Sequence, residues 1–496
     1  MTPSLEEARK YRENYQILPV IRTIDAKNHE PVEMLRILRG LTEKVFLLEN
    51  THETENGAQW NRYTYIGFDP SMEVYQLDGK LTVCTGAANC ISQCQDPAAV
   101  LREILEDNKA PKLEGLPPFT GGLAGYFSYE YIQCVEKDIR WSCENEEHFK
   151  DFDLMFLDKL YIYDREEKKI LLVNNIRTDC LEENYARAEL VLDQMEQILD
   201  KGAIDRVKPL HIKGEFELMF SKERHMANVE EAKSYISNGD VAQIVLSNSQ
   251  EALAEGSLVD AYAVLRENDP THFMCYFSSD DLEAAMASPE TILNINDGTL
   301  FAERLAGTFA RGKTREEDLA LEKELLSDPK SIDEHNMLVD DTRNELGPVS
   351  QFGSIKVEDY MRIVRCSCVM HIGSVITGKL REDMTALDAI GYISPSGVVS
   401  GAPKITSCEV ISSIEKNRRG IYGAAVGYMG FNGDSSFFAF IHSAYLKNGK
   451  VCVRSGGGIV IDSVPEDEFN ECLFKASAMV ASLRKAEGGM GNGSAD

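Results

Sequence analysis

Short apolar runs and helical periods alternate along the whole chain. Lys44–Asn50 is an almost continuous apolar run, and Arg62–Phe68 alternates between inward and outward positions, as strands do. Leu181–Asp200 instead places apolar residues near i, i+3 or i+4, and i+7, which is typical of an amphipathic helix. Because strand and helix signals mix throughout, the sequence predicts an α+β fold with large, mostly antiparallel sheets.

Charged turns and glycines mark the ends of several predicted elements. Phe152–Asp164 and Lys169–Asn174 flank a charged segment, which predicts a hairpin that turns at Arg165–Lys168. Lys222–Ser237 has a helical pattern, and Gly239 just after it is a typical helix stop.

A polar, unpatterned stretch at residues 201–215 divides the chain. Because 496 residues exceed one ordinary core, either two domains or one large composite is expected, with residues 1–205 and 216–486 as the two regions. The glycine-rich residues 487–496 are predicted to form a disordered tail.

The charge and the ends of the chain limit its partners and location. A net charge of −29 argues against nucleic acid or an anionic membrane as a partner. An anionic substrate therefore needs a locally positive site made of arginine, lysine, glycine-loop amides or a metal. No run of 18 apolar residues and no signal peptide is present, so a cytoplasmic location is expected.

The cysteines do not suggest a metal site. The chain has 12 cysteines and no C-x-x-C pair, the closest spacings being Cys90 with Cys94 and Cys366 with Cys368. Buried free thiols are the expected state, and a zinc site is not predicted.

Glycine loops near the C-terminus precede a helix with acidic and basic residues. Gly397–Lys404, Arg418–Tyr428 and Arg454–Gly458 are rich in glycine and other small residues. In the next helix, positions i, i+3 and i+7 share one face, so Glu468, Glu471 and Lys475 point the same way. Two carboxylates and one cation suit Mg²⁺ together with a carboxylated substrate.

Several single residues have both a structural and a functional interpretation. Glu334 fits a solvated helix face or a third oxygen ligand for Mg²⁺. Glu290, just after a predicted strand, is either a helix N-terminal charge or a general acid. His371 lies in an apolar stretch, as a core histidine or a proton carrier. Lys404 and the amides of Gly456–Gly458 follow glycine turns that an anion can approach.

Taken together, the order and spacing of the motifs resemble one family. The chain resembles the large, chorismate-binding subunit of anthranilate synthase, within the chorismate-utilising enzymes, over about residues 16–485. The blocks that carry the resemblance are Leu47-Leu-Glu, Arg62-Tyr-Thr-Tyr-Ile-Gly, Gly121-Gly-Leu-Ala-Gly-Tyr-Phe, Gly239-Asp-Val-Ala-Gln-Ile-Val-Leu-Ser, Ala306-Gly-Thr, Asp341-x-Arg-Asn, Val369-Met-His-Ile, Ser400-Gly-Ala-Pro-Lys and Pro465-Glu-Asp-Glu-x-x-Glu.

The resemblance implies a fold and a reaction. Residues 1–205 would be a regulatory region wrapped on a catalytic, chorismate-binding α/β sandwich at 216–486. Ammonia would add at C2 of chorismate as the 4-hydroxyl leaves, and pyruvate would then be eliminated to give anthranilate. Mg²⁺ would be the cofactor. The ammonia would come from a separate glutamine amidotransferase subunit, which makes a hetero-oligomer the expected assembly.

The resemblance also assigns roles to individual residues. Glu290 would be the general acid, His371 would assist pyruvate elimination, and Thr308 belongs to the same catalytic set. Mg²⁺ would be bound by Glu334, Glu468 and Glu471. The substrate-binding residues would be Tyr422, His442, Gly456, Gly458, Lys475 and Lys404.

Two positions distinguish the branches of the family. Gln243 stands where relatives that form isochorismate or salicylate carry a lysine that activates water, so glutamine favours ammonia. Ala306 stands where many aminodeoxychorismate synthases carry a nucleophilic lysine, so alanine points to ortho amination.

Three positions depart from the family pattern around the substrate. The family's arginine in Ala-Ile-Arg-Thr is His442 here, and histidine lacks the bidentate fork. Val398 replaces a threonine of Gly-Thr-Val-Ser-Gly, and Phe309 replaces an arginine. A lost charged hydrogen bond costs roughly 2–5 kcal/mol of binding. Arg454 is a candidate for compensation.

The tryptophan site of the family is altered as well. Its Leu-Leu-Glu-Ser reads Leu47-Leu-Glu49-Asn50 here, and its Asn-Pro-Ser-Pro-Tyr-Met reads Asp269-Pro-Thr-His272-Phe-Met274. Weak or absent inhibition by tryptophan is therefore expected.

These departures leave three hypotheses. The first is an ammonia-dependent anthranilate synthase large subunit. The second is a diverged paralogue that makes 2-amino-2-deoxyisochorismate or aminodeoxychorismate in specialised or folate metabolism. The third is a catalytically weak subunit that binds an amidotransferase.

Overall fold

The computed structural model describes residues 1–487 apart from residues 28, 51–61, 87, 95, 205, 269 and 366–368. Its strands are β1 (Ile17–Asp25), β2 (Val45–Asn50), β3 (Tyr63–Phe68), β4 (Met72–Leu77), β5 (Lys80–Thr85), β6 (Ala88–Gln93), β7 (Gly122–Phe127), β8 (Phe152–Leu157), β9 (Lys159–Asp164), β10 (Lys169–Arg177), β11 (His211–Leu218), β12 (Gln243–Glu255), β13 (Phe273–Ser278), β14 (Glu283–Ser288), β15 (Thr291–Asn296), β16 (Thr299–Ala310), β17 (Lys356–Arg365), β18 (Val369–Lys379), β19 (Gly401–Ala402), β20 (Ala425–Gly430), β21 (Ser435–Ala439), β22 (Ser443–Lys447) and β23 (Lys450–Ile459).

Helices separate or follow these strands. They are α1 (Leu5–Ala8), α2 (Pro31–Arg39), α3 (Pro97–Glu106), α4 (Ile132–Val135), α5 (Leu181–Lys201), α6 (Lys222–Asn238), α7 (Val259–Asn268), α8 (Arg315–Leu325), α9 (Pro329–Leu346), α10 (Ala386–Ile393), α11 (Lys404–Glu415) and α12 (Pro465–Ala486). Among the described residues, no helix is both long enough and apolar enough to cross a membrane.

Two large antiparallel sheets organise the molecule. In the first sheet the strand order is β1-β10-β9-β3-β2-β13-β14-β22-β23-β12-β11, and β19 pairs with β12. In the second sheet it is β17-β18-β16-β15-β21-β20-β7-β8-β4-β5-β6. Early strands occupy one side of each sheet and later strands the other, and they meet at β2–β13 and at β7–β20.

The sheets stack face to face, and helices cover their outer faces. An aromatic core fills the space between the sheets, where Phe119 stacks on Tyr428 at 4.1 Å and Phe273 stacks on Phe438 at 3.7 Å. A second core joins the first sheet to helices α2, α5, α7 and α12. A third core joins the second sheet to α3, α10 and α11. The predicted α+β fold with large antiparallel sheets is thus confirmed.

The predicted hairpin is wrong in its first strand. Phe152–Asp164 does not form one strand, because β8 ends at Leu157 and lies in the second sheet. Strand β9 then begins at Lys159 in the first sheet and pairs with β10 across the predicted turn. A continuous apolar run does not reveal that the chain crosses from one sheet to the other at Asp158, since both halves are buried.

The stretch at 201–215 is only partly irregular. Strand β11 begins at His211 and pairs antiparallel with β12, so the end of the stretch belongs to the first sheet. The boundary between 1–205 and 216–486 stays a prediction, and residues 488–496 of the predicted tail lie outside the described residues. The predicted helix stop is confirmed, because α6 ends at Asn238 and Gly239 has φ +82°.

Candidate functional site

A cavity of about 220 Å³ opens where the two sheets approach each other. It is bordered by the start of β12, the end of β23, strand β16, helices α9 and α12, and the turn at 397–399. Its lining contains eight of the predicted site residues, which the fold brings together from distant parts of the sequence: Gln243, Glu290, Glu334, Tyr422, His442, Gly456, Gly458 and Lys475.

The glycines at the end of β23 leave little space for side chains, and at Gly456 the neighbouring backbone leaves none. A Cβ atom on Gly456 would lie 2.4 Å from the Leu246 carbonyl oxygen, and one on Gly458 would lie 2.3 Å from the Gln243 side-chain nitrogen. At Gly457 it would lie 3.3 Å from a carboxylate oxygen of Glu468. The glycines therefore let strand β12, helix α12 and a ligand approach the same backbone.

Glu290 is a buried carboxyl group at the edge of the cavity. It follows β14, and its backbone amide donates a hydrogen bond to the Ser288 hydroxyl oxygen at 3.2 Å. Burial raises the pKa of Glu290 to about 7, although the Arg304 guanidinium opposes this shift from 3.2 Å away. A carboxyl group that keeps its proton near neutral pH has the property that a general acid needs.

His371 and Thr308 meet at a bulge between β16 and β18. The register shifts between Ala306 and Phe309, and Gly307 adopts φ +62° at this point. His371 Nδ1 lies 2.9 Å from the Gly307 carbonyl oxygen and 3.3 Å from the Thr308 hydroxyl. Because a carbonyl oxygen only accepts, Nδ1 carries the proton and Nε2 keeps a free lone pair.

His371 is set up to act as a base. Burial lowers its pKa, although the hydrogen bond to Gly307 opposes the change, so the ring is neutral at pH 7. Neither His371 nor Thr308 lines the cavity itself. They lie beside it on strands β18 and β16.

The three predicted metal ligands lie close enough for their charges to affect one another. Partial removal from water raises the pKa of Glu334 and of Glu468, and the charge of Glu471 adds to both shifts. Glu471 pairs with Lys475 at 2.7 Å, and the Lys475 ammonium also donates to the Gly456 carbonyl oxygen at 3.3 Å. Mutually repelling carboxylates are the donor set that a hard divalent cation neutralises, so these residues fit Mg²⁺.

These carboxylates do not form a closed chelating group by themselves. Within the described residues, no three His, Cys, Asp or Glu side chains converge closely enough to hold a metal ion.

Tyr422 forms one wall of the cavity and rests on two buried arginines. The guanidinium carbons of Arg419 and Arg454 lie 5.9 and 5.7 Å from its ring centroid. Arg454 was a candidate to replace the missing family arginine, and the structure contradicts that assignment. Its Nε, Nη1 and Nη2 donate to Ser247, to the Arg418 carbonyl and to Glu415, and it does not line the cavity.

Lys404, a predicted substrate ligand, lies outside the cavity lining. Its ammonium donates to the carbonyl oxygens of Tyr392 and Ile393 and pairs with Glu345 at 3.1 Å. These contacts hold the start of α11 against the end of α10. His442 and Val398, the two substituted positions, both line the cavity, and His442 adopts φ +48°.

Arg304 and Glu345 lie next to Glu290 and are not among the residues that the sequence predicted for the site. In β16, Arg304 shares a strand face with the buried Ala302 and Ala306, and only 1% of its surface is exposed. A charged residue at an inward position of an alternating strand is an available signal for a buried partner. Glu345 gave no such signal, because a glutamate near the end of a charged helix is usually solvated.

The predicted regulatory residues lie on two neighbouring strands. Glu49 of β2 is directly opposite Met274 of β13, and Asn50 is opposite Phe273, next to His272. The Glu49 carboxylate accepts hydrogen bonds from Thr64, Tyr262, Arg165 and Arg266. Asp269 of the same motif lies outside the described residues.

Comparison with known proteins places the chain in a family. A model of the chorismate binding enzymes matches residues 44–481. The chain is 35% identical to anthranilate synthase component 1 of Acetivibrio thermocellus over 98% of this chain and 99% of that protein. It is 37% identical to anthranilate synthase component 1 of Pseudomonas aeruginosa, which covers 89% of this chain and 90% of the relative.

Solved structures agree in fold. Anthranilate synthase component I from Streptococcus pneumoniae TIGR4 superposes with a TM-score of 0.75 and 30% identity, covering 87% of this chain and 95% of that one. The menaquinone-specific isochorismate synthase MenF of Escherichia coli shares the fold at 17% identity and a TM-score of 0.68. With the site geometry and the full-length relatives in agreement, the chain belongs to the chorismate-binding enzyme family, in the branch that contains anthranilate synthase component 1.

Proposed function

We propose that the protein converts chorismate and ammonia to anthranilate, as the large subunit of an anthranilate synthase. The observation that carries this proposal is the cavity, which Glu290, Gln243, Tyr422 and Glu334 line together, with the carboxylates of Glu468 and Glu471 next to Gly457 at its border. The full-length similarity to anthranilate synthase component 1 proteins supports it.

Glu290 acts first, as the general acid. Its protonated carboxyl group gives a proton to the 4-hydroxyl, which leaves as water while ammonia adds at C2. The raised pKa of Glu290 supports this role, because an ordinary glutamate would be ionised at pH 7.

Gln243 selects the nucleophile. It stands at the start of β12, with its side-chain nitrogen against Gly458. A glutamine side chain cannot take a proton from water at neutral pH, whereas ammonia attacks without that help. The ammonia would come from a glutamine amidotransferase subunit or from free ammonium.

His371 acts in the second step. Its Nε2 takes the proton from C2 of the aminated intermediate, the electron pair of that bond completes the aromatic ring, and the C3–O bond breaks. The enolpyruvate released then gains a proton at its CH2 carbon and becomes pyruvate. The Gly307 carbonyl and the Thr308 hydroxyl hold the ring in the required tautomer.

The remaining residues hold the substrate. Glu334, Glu468 and Glu471 would bind Mg²⁺, which supplies charge neutralisation for a substrate carboxylate. Lys475 and the backbone amides of Gly456 and Gly458 would bind carboxylate oxygens of the substrate, and the lining of the cavity by these three residues supports this role. Tyr422 closes the wall behind them.

Purified protein tests this function directly. With chorismate, Mg²⁺ and ammonium at alkaline pH, we expect anthranilate, detected by fluorescence and mass. Chelation with EDTA should abolish turnover, and added Mg²⁺ should restore it, because the carboxylates then regain their counter-charge. Turnover that is unaffected by EDTA would contradict the metal assignment, and the absence of any aminated product would contradict the function.

A second candidate function follows from His442 and Val398. Both line the cavity at positions where the family pattern has a stronger donor. If the weaker donors at these two positions hold the substrate in a different orientation, pyruvate is not eliminated and the reaction stops at 2-amino-2-deoxyisochorismate. The same assay separates the two, because that product still carries its enolpyruvyl group and has a higher mass than anthranilate.

Replacing His442 with arginine tests the weakened grip. We expect KM for chorismate to fall by roughly tenfold, because a bidentate arginine–carboxylate pair is stronger than a histidine contact by about 1–2 kcal/mol. Steady-state kinetics measure this, with His442→Gln as the control that adds no cation. A further loss of activity in His442→Arg would mean that the pocket fits a different ligand.

Tryptophan is expected to inhibit weakly or not at all. The Glu49 carboxylate is already saturated by Arg165, Arg266, Tyr262 and Thr64, which leaves little acceptor capacity for an incoming ammonium group. Initial rates with increasing tryptophan measure the effect, and Asn50→Ser, which restores the family residue, is the matched variant. Half-inhibition at micromolar tryptophan would contradict this prediction.

A further inference from the structure

Behind Glu290 lies a row of buried and half-buried charges that the proposed reaction leaves unexplained. The Arg304 guanidinium stands between two carboxylates, with Nη1 at 3.2 Å from Glu290 Oε1 and Nη2 at 3.6 Å from Glu345 Oε2. Glu345 continues the row to Lys404, 3.1 Å away. Cations and anions therefore alternate from the cavity edge to the start of α11.

The neighbours of Arg304 fix its position. Its Nη1 donates to the carbonyl oxygens of Thr291, at 2.5 Å, and Glu303, at 2.9 Å. On the far side, Glu345 accepts from the Gly397 amide at 2.8 Å and from the Ser396 hydroxyl at 3.3 Å. The same row that steadies Arg304 thus steadies the turn carrying Val398 on the cavity wall.

The contact between Arg304 and Glu290 is one of charge rather than of a formed hydrogen bond. Glu290 Oε1 and Arg304 Nη2 are both buried and have no hydrogen-bond partner. Glu290 lines the cavity, whereas Arg304 does not. The Glu290 carboxyl group can thus release a proton toward the cavity, while the Arg304 guanidinium lies on its opposite side.

We propose that Arg304 is a positioning residue for the general acid: it pairs with the Glu290 carboxylate that remains after proton transfer, and Glu345 with Lys404 holds the guanidinium in place. The inference rests on the proposed function. In the proton transfer, the proton goes to the departing 4-hydroxyl, which leaves as water, and the negative charge stays on Glu290. Solvent returns the proton before the next turnover.

The cation matters because the other charges that face Glu290 are negative. Glu303 and Glu345 both disfavour its ionised form, and Arg304 is the group that favours it. Glu303 is itself paired with Arg362 of β17. Without Arg304, a buried carboxylate would face two further carboxylates, so Glu290 would hold its proton to higher pH and donate it less readily.

The pH dependence of kcat/KM for chorismate tests this role, measured with free ammonia held constant. A general acid is active while protonated, so the wild-type rate should fall as pH rises through about 7. In Arg304→Met this falling limb of the pH profile should move up by about 1–3 pH units, because removing an opposite charge raises the pKa of a carboxyl group by that amount. We also expect kcat at pH 7 to fall at least tenfold.

Conservative and distant variants separate this role from general damage. Arg304→Lys should recover most of the wild-type limb, because it restores the charge. Arg62→Met, which removes an arginine paired with Asp164 at 2.6 Å in β9, should leave the limb in place. A uniform loss of activity in Arg304→Met with an unchanged limb would overturn the inference.

Thermal unfolding gives a readout that needs no turnover. We expect Glu290→Gln to raise Tm at pH 8 in the Arg304→Met background, where it removes a buried carboxyl group whose ionised form no cation stabilises. In the arginine-containing background the same change should raise Tm less, because Arg304 offsets part of the cost of burying Glu290 and loses this partner in the variant. Equal effects in the two backgrounds would overturn the inference, whereas a wild-type protein without turnover would overturn the proposed function alone.

Discussion

Replacing Glu290 with glutamine is expected to lower kcat for anthranilate formation by roughly 10²- to 10⁴-fold, the range that a positioned general acid contributes. Glutamine has nearly the same shape but cannot give a proton to the leaving hydroxyl. Because Glu290 is buried and carries its proton near pH 7, the change removes no permanent charge from the cavity. Steady-state kinetics with chorismate should therefore show a loss in kcat and little change in KM.

The pH profile provides a second readout of the same variant. The decline of the wild-type rate through about pH 7 should disappear in Glu290→Gln, because the titrating group is gone. Glu358→Gln, which changes an exposed carboxylate of β17, is the control and should keep both rate and profile. A loss of less than tenfold in Glu290→Gln would assign the proton donor to another group.

Replacing Glu415 with glutamine is expected to destabilise the protein by roughly 3–5 kcal/mol, the cost of leaving buried charges without their partner. Glu415 pairs with Arg419 at 2.6 Å and with Arg454 at 2.8 Å, and all three side chains are buried. It also accepts from the amide and hydroxyl of Ser247. Urea unfolding followed by circular dichroism measures the free energy of unfolding.

The pH dependence of this effect has a definite sign. The charges of Arg419 and Arg454 hold the pKa of Glu415 below its usual range against the opposing effect of burial. Its contribution is therefore present above the unfolded pKa of about 4.3 and is lost as pH falls below that value. The difference from wild type should be constant from about pH 6 to 8. Glu409→Gln, on the same helix, should cost much less, and a similar cost would contradict the role of Glu415.

The sequence predicted the parts of the site that lie close together along the chain. Glu468, Glu471 and Lys475 share a face because helical geometry fixes their spacing, and α12 presents them as expected. The glycines of β23 predicted a backbone that other groups can approach closely, and the Leu246 carbonyl oxygen and the side chains of Gln243 and Glu468 lie against it. Local periodicity carries this information directly.

The parts that could not be predicted depend on long-range pairing. Arg454 was predicted as a possible substrate ligand, but it forms an ion pair with Glu415 of α11. Nothing within either segment of the sequence indicates that contact. Lys404 followed a glycine turn as an anion ligand would, yet Glu345 of α9 binds it. Likewise, the crossing at Asp158 is decided by which sheet each half-strand joins. Side-chain competition between distant elements has no short-range signature.

The arrangement of the strands also constrains how the polypeptide matures. Strand β2 is the last strand of the early half of the first sheet, and its partner β13 follows more than 200 residues later in the sequence. The separation between β7 and its partner β20 in the second sheet is larger still. Until then, the early half exposes two unpaired strand edges that could join a neighbouring chain. A fragment that ends before β13 would keep these edges exposed, so we expect it to aggregate when it is produced alone. Pairing between strands so far apart in the sequence also makes folding slow.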